Sequence, residues 1–347
     1  MIPQDVLDKA KQILQKASRP LFYFDDDCDG VTSFTQLYQF CGDGSGVPVK
    51  QSPVLKADLF RKIDEYSPDV VVILDKPGVE EEFLQKLQTP TIWIDHHEPQ
   101  EIKNKHVLYI NPRTYDDADN RPTAYWCHMI TKQNLWVATL GSIADWHIPD
   151  FIDEFKKEYG DLLPETYEKV EDLYLDTPIG QLIKILQFNL KGSLSEMRKS
   201  ILTFTRVEHP DEILKQASPR GKFLWKKYRK LADGYEQHMK IANEIAKEKG
   251  PILLYEYGET GTTYTAELSN ELLIRYPEKI ILVSRKHDGK RKNSIRSKET
   301  ELPSKITKAM EGLDGYGGGH TNACGCVVTE EHWQKFYERF EQLIETA

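Results

Sequence analysis

Residues 68–97 read PDVVVILDKPGVEEEFLQKLQTPTIWIDHH, and the spacing of apolar residues in this stretch decides the fold class. Val70 to Leu74 is an unbroken apolar run without alternation, the pattern of a strand covered on both faces within a parallel sheet. VEEEFLQKLQ (79–88) then takes helical periodicity and PTIWIDHH (90–97) returns to an apolar strand, so the stretch predicts a β-α-β unit. Upstream, RPLFYFDDDCDGVTSFTQLYQF (19–40) repeats the theme: a short strand from Leu21 to Phe24, an acidic turn, and a helix starting near Thr32. From Ile2 to Ala17, Val6, Leu7, Ala10, Ile13 and Leu14 recur at helical spacing among charged residues, which predicts an amphipathic surface helix and not a signal peptide. WVATLGSIADW (136–146) predicts a further acidic strand end or a helix. Together these units predict an α/β fold with a doubly wound, mostly parallel sheet.

Beyond Pro149 the pattern turns helical and polar, and Gly221 to Lys249 reads as one long helix. Strands resume in GPILLYEY (250–257) and KIILVSR (279–285), followed by a turn-rich KHDGKRKN (286–293), a short strand SIRS (294–297), and a glycine cluster before CGCVV (324–328). A chain of 347 residues exceeds one ordinary core, and its pattern divides into residues 1–185, a helical linker over 186–248, and a smaller C-terminal α/β domain over 249–347.

No run of about 18 apolar residues is present, so no membrane span is expected and the cytoplasm is the expected location. Five cysteines, Cys28, Cys41, Cys127, Cys324 and Cys326, are odd in number and lack paired zinc spacing, which favours reduced thiols. The formal charge of -9 runs against phosphate binding, but two divalent ions would bring it to about -5, because bound ions count in the local field. Basic clusters also occur, at Lys222, Lys226, Lys227, Arg229 and Lys230 and at Arg285, Lys286, Lys290, Arg291 and Lys292, for which a solvated surface face is an equal reading.

Carboxylates gather where predicted strands end, the place where open α/β sheets bind ligands. Asp25, Asp26, Asp27 and Asp29 follow the first strand, Asp75 the next, Asp95 with His96 and His97 the third, and Asp145 comes later. One such Asp is ordinarily a helix cap or turn residue; four placements in one crevice would repel one another severely without positive charge among them. Divalent metal is the simplest neutraliser, and carboxylates mixed with imidazole suit Mn²⁺, with Mg²⁺ or Co²⁺ as substitutes.

DDDCDG (25–30), VVILD (71–75), DHH (95–97) and GSIAD (141–145) resemble, in order and interval, the four motifs of the DHH phosphoesterase superfamily. GYGGGHTNACG (315–325), preceded by NSIRSK (293–298), is similar to the DHH-associated C-terminal domain, so the resemblance covers nearly the whole chain. It implies that Asp27 and Asp75 hold one metal ion, that Asp29, Asp75, His96 and Asp145 hold a second, and that Asp75 bridges them. It further implies that Asp25 touches the first ion directly or through water, that His97 faces the scissile phosphate as hydrogen-bond donor or leaving-group acid, and that Asp95 orients a histidine. In the C-terminal domain, Arg296, Ser294, Gly317, Gly318, Gly319 and His320 are the implied substrate-binding residues.

The resemblance implies a RecJ-like or oligoribonuclease-like phosphodiesterase acting as an exonuclease on short oligonucleotides or single-stranded DNA or RNA ends. Two alternatives accompany it: a cyclic- or linear-dinucleotide phosphodiesterase, and a non-catalytic RecJ-like scaffold in a replication or repair complex. Tyr23 stands where oligoribonuclease-like members and family pyrophosphatases carry a histidine, and Lys76, Pro77 and Cys324 are further departures. Self-association and replication or repair partners are left open by the sequence.

Overall fold

The computed structural model describes residues 1–50 and 52–345, with the side chain of His320 outside that description. Two compact units form, Met1–Tyr228 and Arg229–Ala347, and each contains a five-stranded sheet.

In the first unit, β1 (Pro20–Asp25), β2 (Ser45–Val49), β3 (Val70–Leu74), β4 (Thr91–Ile94) and β5 (Val107–Ile110) are all parallel, in the order β2-β1-β3-β4-β5. The whole of β3 is buried, which is why it lacks polar alternation. One core includes Leu21, Tyr23, Val71, Ile73, Phe83 and Trp93. Tyr23 belongs to this core: its ring meets Phe83 edge-on at 5.6 Å and its hydroxyl donates to the Leu59 carbonyl at 3.0 Å. Phe24, the next residue, instead stacks on Phe34 at 4.3 Å.

The helices of this unit include α1 (Gln4–Lys16), α2 (Cys28–Cys41), α3 (Thr123–Thr131), α4 (Leu135–Ala144), α5 (Val170–Tyr174) and α6 (Pro178–Asn189), and α7 (Pro219–Ile245) begins in it. Helix α2 begins at Cys28, four residues before the expected start near Thr32. Asp27 is its cap, accepting from the Gly30 amide at 2.9 Å. A side chain at Gly30 would lie 2.5 Å from the Asp25 carbonyl oxygen, so glycine lets the helix start directly against the strand end. The 136–146 segment is helical, with Asp145 as the C-cap of α4. The helix expected over 79–88 shortens to Glu81–Lys86, because Gly78–Val79 pairs with Val54–Leu55.

Helix α7 runs through the division between the units. In its first part Tyr228 packs on Phe188 at 5.6 Å and Lys227 donates to the Asn189 carbonyl at 2.7 Å; in the remainder the Leu231 carbonyl accepts from Tyr264 at 3.0 Å. Arg229 pairs with Asp233 and Glu236.

The second unit orders its strands β9-β10-β8-β7-β6, where β6 is Ile252–Tyr257, β7 Ile280–His287, β8 Lys290–Arg296, β9 Gly315–His320 and β10 Ala323–Thr329. Only β6 and β7 are parallel. The turn expected over 286–293 contracts to Asp288 and Gly289, both with positive φ, as a two-residue hairpin loop prefers. The glycine cluster forms the edge strand β9. Helices α8 (Thr265–Arg275), α9 (Pro303–Met310) and α10 (Glu330–Glu345) complete the unit. Its core packs Leu282 of β7 with Ile295, Ile306, Phe336 and Phe340. Arg291 is ion-paired to Glu330 and Glu256, each at 2.8 Å, so this member of the second basic cluster is satisfied internally.

Gly141, from the GSIAD motif, sits where α4 crosses α2 and α3: an added Cβ would lie 2.0 Å from Thr32 Oγ1 and 2.6 Å from Ala124 Cβ. Gly141→Ala is therefore expected to lower stability by about 1–3 kcal/mol through overpacking. Urea unfolding of the full chain checks this; an unchanged midpoint would contradict the packing.

Candidate metal centre

Because all five strands of the first sheet are parallel, β1, β3 and β4 end on one edge, and the chain reverses its direction of winding between β1 and β3. Asp25 closes β1, Asp75 follows β3, and Asp95, His96 and His97 follow β4. The Asp75 backbone turns into the left-handed region at φ 55°, where aspartate is tolerated better than most side chains.

The side chains converge. Asp25, Asp27 and Asp75 form one cluster, Asp29, His96 and Asp145 a second, and Asp75, His96 and His97 a third, with ligand atoms in each within 4.8 Å of one another. His96 Nε2 stands 3.5 Å from Asp75 Oδ1, 3.5 Å from Asp145 Oδ2 and 4.0 Å from Asp29 Oδ2. Ligands bound at about 2.1 Å to one cation lie at most about 4.2 Å apart, so the donor set has the spread that a divalent ion needs. The clustered donors are hard carboxylate oxygens and imidazole nitrogens without thiolate, which fits Mn²⁺ or Mg²⁺.

Several partners that hold these ligands carried no motif. Helix α3 points its first amides at the site: Thr123 N–H and Ala124 N–H donate to the two oxygens of Asp29 at 2.8 and 2.7 Å. Its Pro-Thr start signals a helix, but nothing local says where that helix aims. The Asn120 carbonyl lies 3.1 Å from His96 Nδ1, which takes the proton there and turns Nε2 toward the carboxylates. Asp95 is fully buried and accepts from both His97 Nδ1, at 2.8 Å, and the His97 amide, at 3.1 Å. Asn111 donates to Asp95 at 3.3 Å and to the His97 carbonyl at 2.9 Å. Lys76, also fully buried, pairs with Asp25 at 3.2 Å and donates to the Ser52 carbonyl.

Crowding shows in the pKa values. Burial and the Asp27 charge push Asp25 up to about 7; burial and the Asp75 charge do the same to Asp27. Asp27 is the one of the set that is exposed, so water screens its share of the repulsion best. Burial and Asp145 raise Asp29 to about 7, and burial with the Asp75 and Asp27 charges raises Asp145 to about 7 against the pull of His96. Asp75 is raised by burial and Asp29. Burial works to lower His96, but its hydrogen bond to Asp75 and the charges of Asp145, Asp75 and Asp29 carry it well above the ordinary imidazole value.

A family model described as the DHH family N-terminal domain matches residues 21–158, and one described as the DHHA1 domain matches residues 252–346. The chain belongs to the DHH family. No curated protein sequence matches this DHH-family chain. Among solved structures it is similar to RecJ in complex with Mn²⁺ from Thermus thermophilus, with a TM-score of 0.65 at 16% identity, over 100% of this chain and 55% of that one. It is also similar to the pGpG-specific phosphodiesterase PggH from Vibrio (TM-score 0.53, 13% identity, 95% of this chain and 99% of that one). CDC45 from Entamoeba histolytica matches at TM-score 0.50 and 11% identity, over 98% and 99%. At these identities the likeness is one of fold, and the chain spans about half the length of that RecJ.

In the DHHA1 unit, Arg296 donates through Nε to Asn270 at 2.8 Å and through Nη1 to the Ile295 and Cys324 carbonyls at 2.9 and 3.2 Å, and burial lowers its pKa. Ser294 is buried, its hydroxyl 2.9 Å from that of Ser269. Gly317 is required by packing, since a Cβ would lie 2.7 Å from Cys326 Cβ and 3.0 Å from Ile306; Gly319 has φ 147°. Gly318 faces open space, with no atom within 4 Å of an added Cβ. His320 closes β9, and its side chain lies outside the described residues.

Each raised acid keeps its proton in the folded chain at pH values where the unfolded chain, at 3.8, has lost it. Metal-free protein is therefore expected to lose stability as pH rises from about 4 to about 7, and the raised His96 and His97 extend the loss above that. In chelator, Tm should fall from pH 5 to pH 8; added Mn²⁺ should raise it, most at pH 8, since protons compete for the same oxygens. A Mn²⁺ increment independent of pH would contradict the crowding.

Proposed function

We propose that the chain is a two-metal phosphodiesterase that hydrolyses short oligonucleotides or single-stranded ends to nucleoside monophosphates. The observation that carries this reading is the convergence of Asp25, Asp27, Asp29, Asp75, Asp145 and His96 on the sheet edge. Asp27 and Asp75 would hold one ion, with Asp25 beside it, and Asp29, Asp75, His96 and Asp145 the other; Mn²⁺ is the expected metal, with Mg²⁺ or Co²⁺ as substitutes. A bound pair of such ions supplies a water-derived nucleophile at neutral pH and neutralises charge on the phosphate.

The chain's own groups do the rest. His97, fixed by Asp95 and 30% exposed at its side chain, is placed to donate to a phosphate oxygen or to the leaving oxygen as the P–O bond breaks. Burial works against its protonation, but the hydrogen bond and charge of Asp95 and the charge of Asp75 raise its pKa in the metal-free chain, which favours the charged, donating form. Within the second unit, the DHHA1 domain that we place over residues 249–347 offers Arg296 and the open face at Gly318 as nucleotide-binding candidates, with His320 as a further one. Ser294 would act at most by fixing Ser269 behind that face.

The likeness to a pGpG-specific phosphodiesterase favours a second reading, in which the substrate is a dinucleotide. The likeness to CDC45 is what supports a scaffold without chemistry; the presence of every expected ligand stands against it.

A panel of two- to ten-nucleotide RNA and DNA, cyclic di-AMP and its linear product, each with Mn²⁺, separates these readings by product length. Intact oligonucleotides alongside a cleaved dinucleotide would replace the first reading with the second, and no cleavage together with no Mn²⁺ binding by calorimetry would favour the scaffold. Asp75→Asn, which keeps a residue that tolerates positive φ, is expected to lower kcat by at least about 100-fold. Arg296→Ala should instead raise KM about 10-fold with a smaller effect on kcat. Near-normal turnover by Asp75→Asn would refute the ligand assignment.

A further inference from the structure

Asp145 caps α4, and the residue after it, Trp146, bends the chain with φ 62°. A left-handed backbone is a poor conformation for a bulky residue, and it persists where the surroundings enforce it. Burial is not what compensates, because Trp146 is 40% exposed. Its indole lies flat on Tyr174 at the end of α5, with ring centroids 4.9 Å apart and planes 5° from parallel. Tyr174 is itself only 6% exposed and accepts a hydrogen bond from Gln187 on α6 at 2.6 Å. The backing ring is thus anchored, and the outer ring is a stiff aromatic surface that solvent reaches. It is bonded through one peptide link to the carboxylate that stands 3.5 Å from His96.

We propose that Trp146 is a base-stacking platform for the substrate, resting on the nucleotide reading of the adjoining metal centre. A nucleotide whose phosphate meets the cation that Asp145 and His96 would hold carries its base within reach of the neighbouring residue, and the exposed indole offers the surface that every base shares. Stacking of this kind tolerates all four bases and favours the larger purines. It also separates two tasks that share one turn of chain: Asp145 would hold the cation that meets the phosphate, and Trp146 would meet the base. Tyr174 is a positioning residue, acting by holding the indole in place.

The test uses the full chain with Mn²⁺ and two ligands that contain no phosphodiester, AMP and ribose 5-phosphate, titrated by calorimetry. Wild type is expected to bind AMP about 5- to 150-fold more tightly than ribose 5-phosphate. Trp146→Ala should bring AMP to the level of ribose 5-phosphate while leaving ribose 5-phosphate and Mn²⁺ affinities unchanged, and Trp146→Phe should retain most of the preference. Trp146→Leu replaces Trp146→Ala should the smaller residue fail to fold by circular dichroism. An unchanged AMP preference in the non-aromatic variant, the absence of any preference in wild type, or an equal loss of both ligands would each overturn the platform. Base-dependent AMP binding without hydrolysis of any oligonucleotide would sink the reaction assignment and leave the platform standing. Hydrolysis with an AMP preference that ignores Trp146 would do the reverse.

Discussion

Mutual repulsion among Asp25, Asp27, Asp29, Asp75 and Asp145 is the constraint around which the first unit is organised. Five carboxylates share one small region, and the positive partners that meet them include the His96 ring, the Lys76 ammonium and the amides of Gly30, Thr123 and Ala124. Such an arrangement is costly in the bare chain, as the raised pKa values of Asp25, Asp29 and Asp145 state directly. A fold selected for stability alone would have spread these charges over the surface. The parallel sheet does the opposite, because strands running one way must all end on one edge, and the left-handed turn at Asp75 aims one more carboxylate into the group. Strain and repulsion are concentrated where a cation would relieve them.

The motif residues were legible because acidic residues after apolar runs break a periodic pattern, and five of them at family-like intervals exceed what turns and caps require. The parallel sheet was equally legible from Val70–Leu74, since absence of alternation has one main physical cause. What escaped is the through-space half of the site. Asn120, Thr123, Ala124 and Asn111 act through backbone carbonyls, amides or a side-chain amide, and these are groups whose role depends on where a neighbouring element points. The start of α2 at Cys28 was hidden by its own acidic sequence, in which Asp27 serves at once as helix cap and as candidate ligand.

In the second unit the glycine cluster misled for a related reason. Three glycines in a row suggest a flexible turn, yet Gly317 is small because Ile306 of α9 and Cys326 press on it, and only Gly318 opens outward. Composition reports freedom of the backbone; packing decides how much of it is used. Tyr23 makes the same point at the other end of the chain, for its departure from the family pattern is absorbed by a hydrogen bond to the Leu59 carbonyl inside the core.

Lys76 makes the acidic row electrically lopsided. One end, at Asp25, already leans on a built-in cation that no solvent reaches, while among the described residues the other end, around Asp29 and Asp145, meets the rings of His96 and, farther off, His97. Cations placed along such a row would meet unequal charge at its two ends.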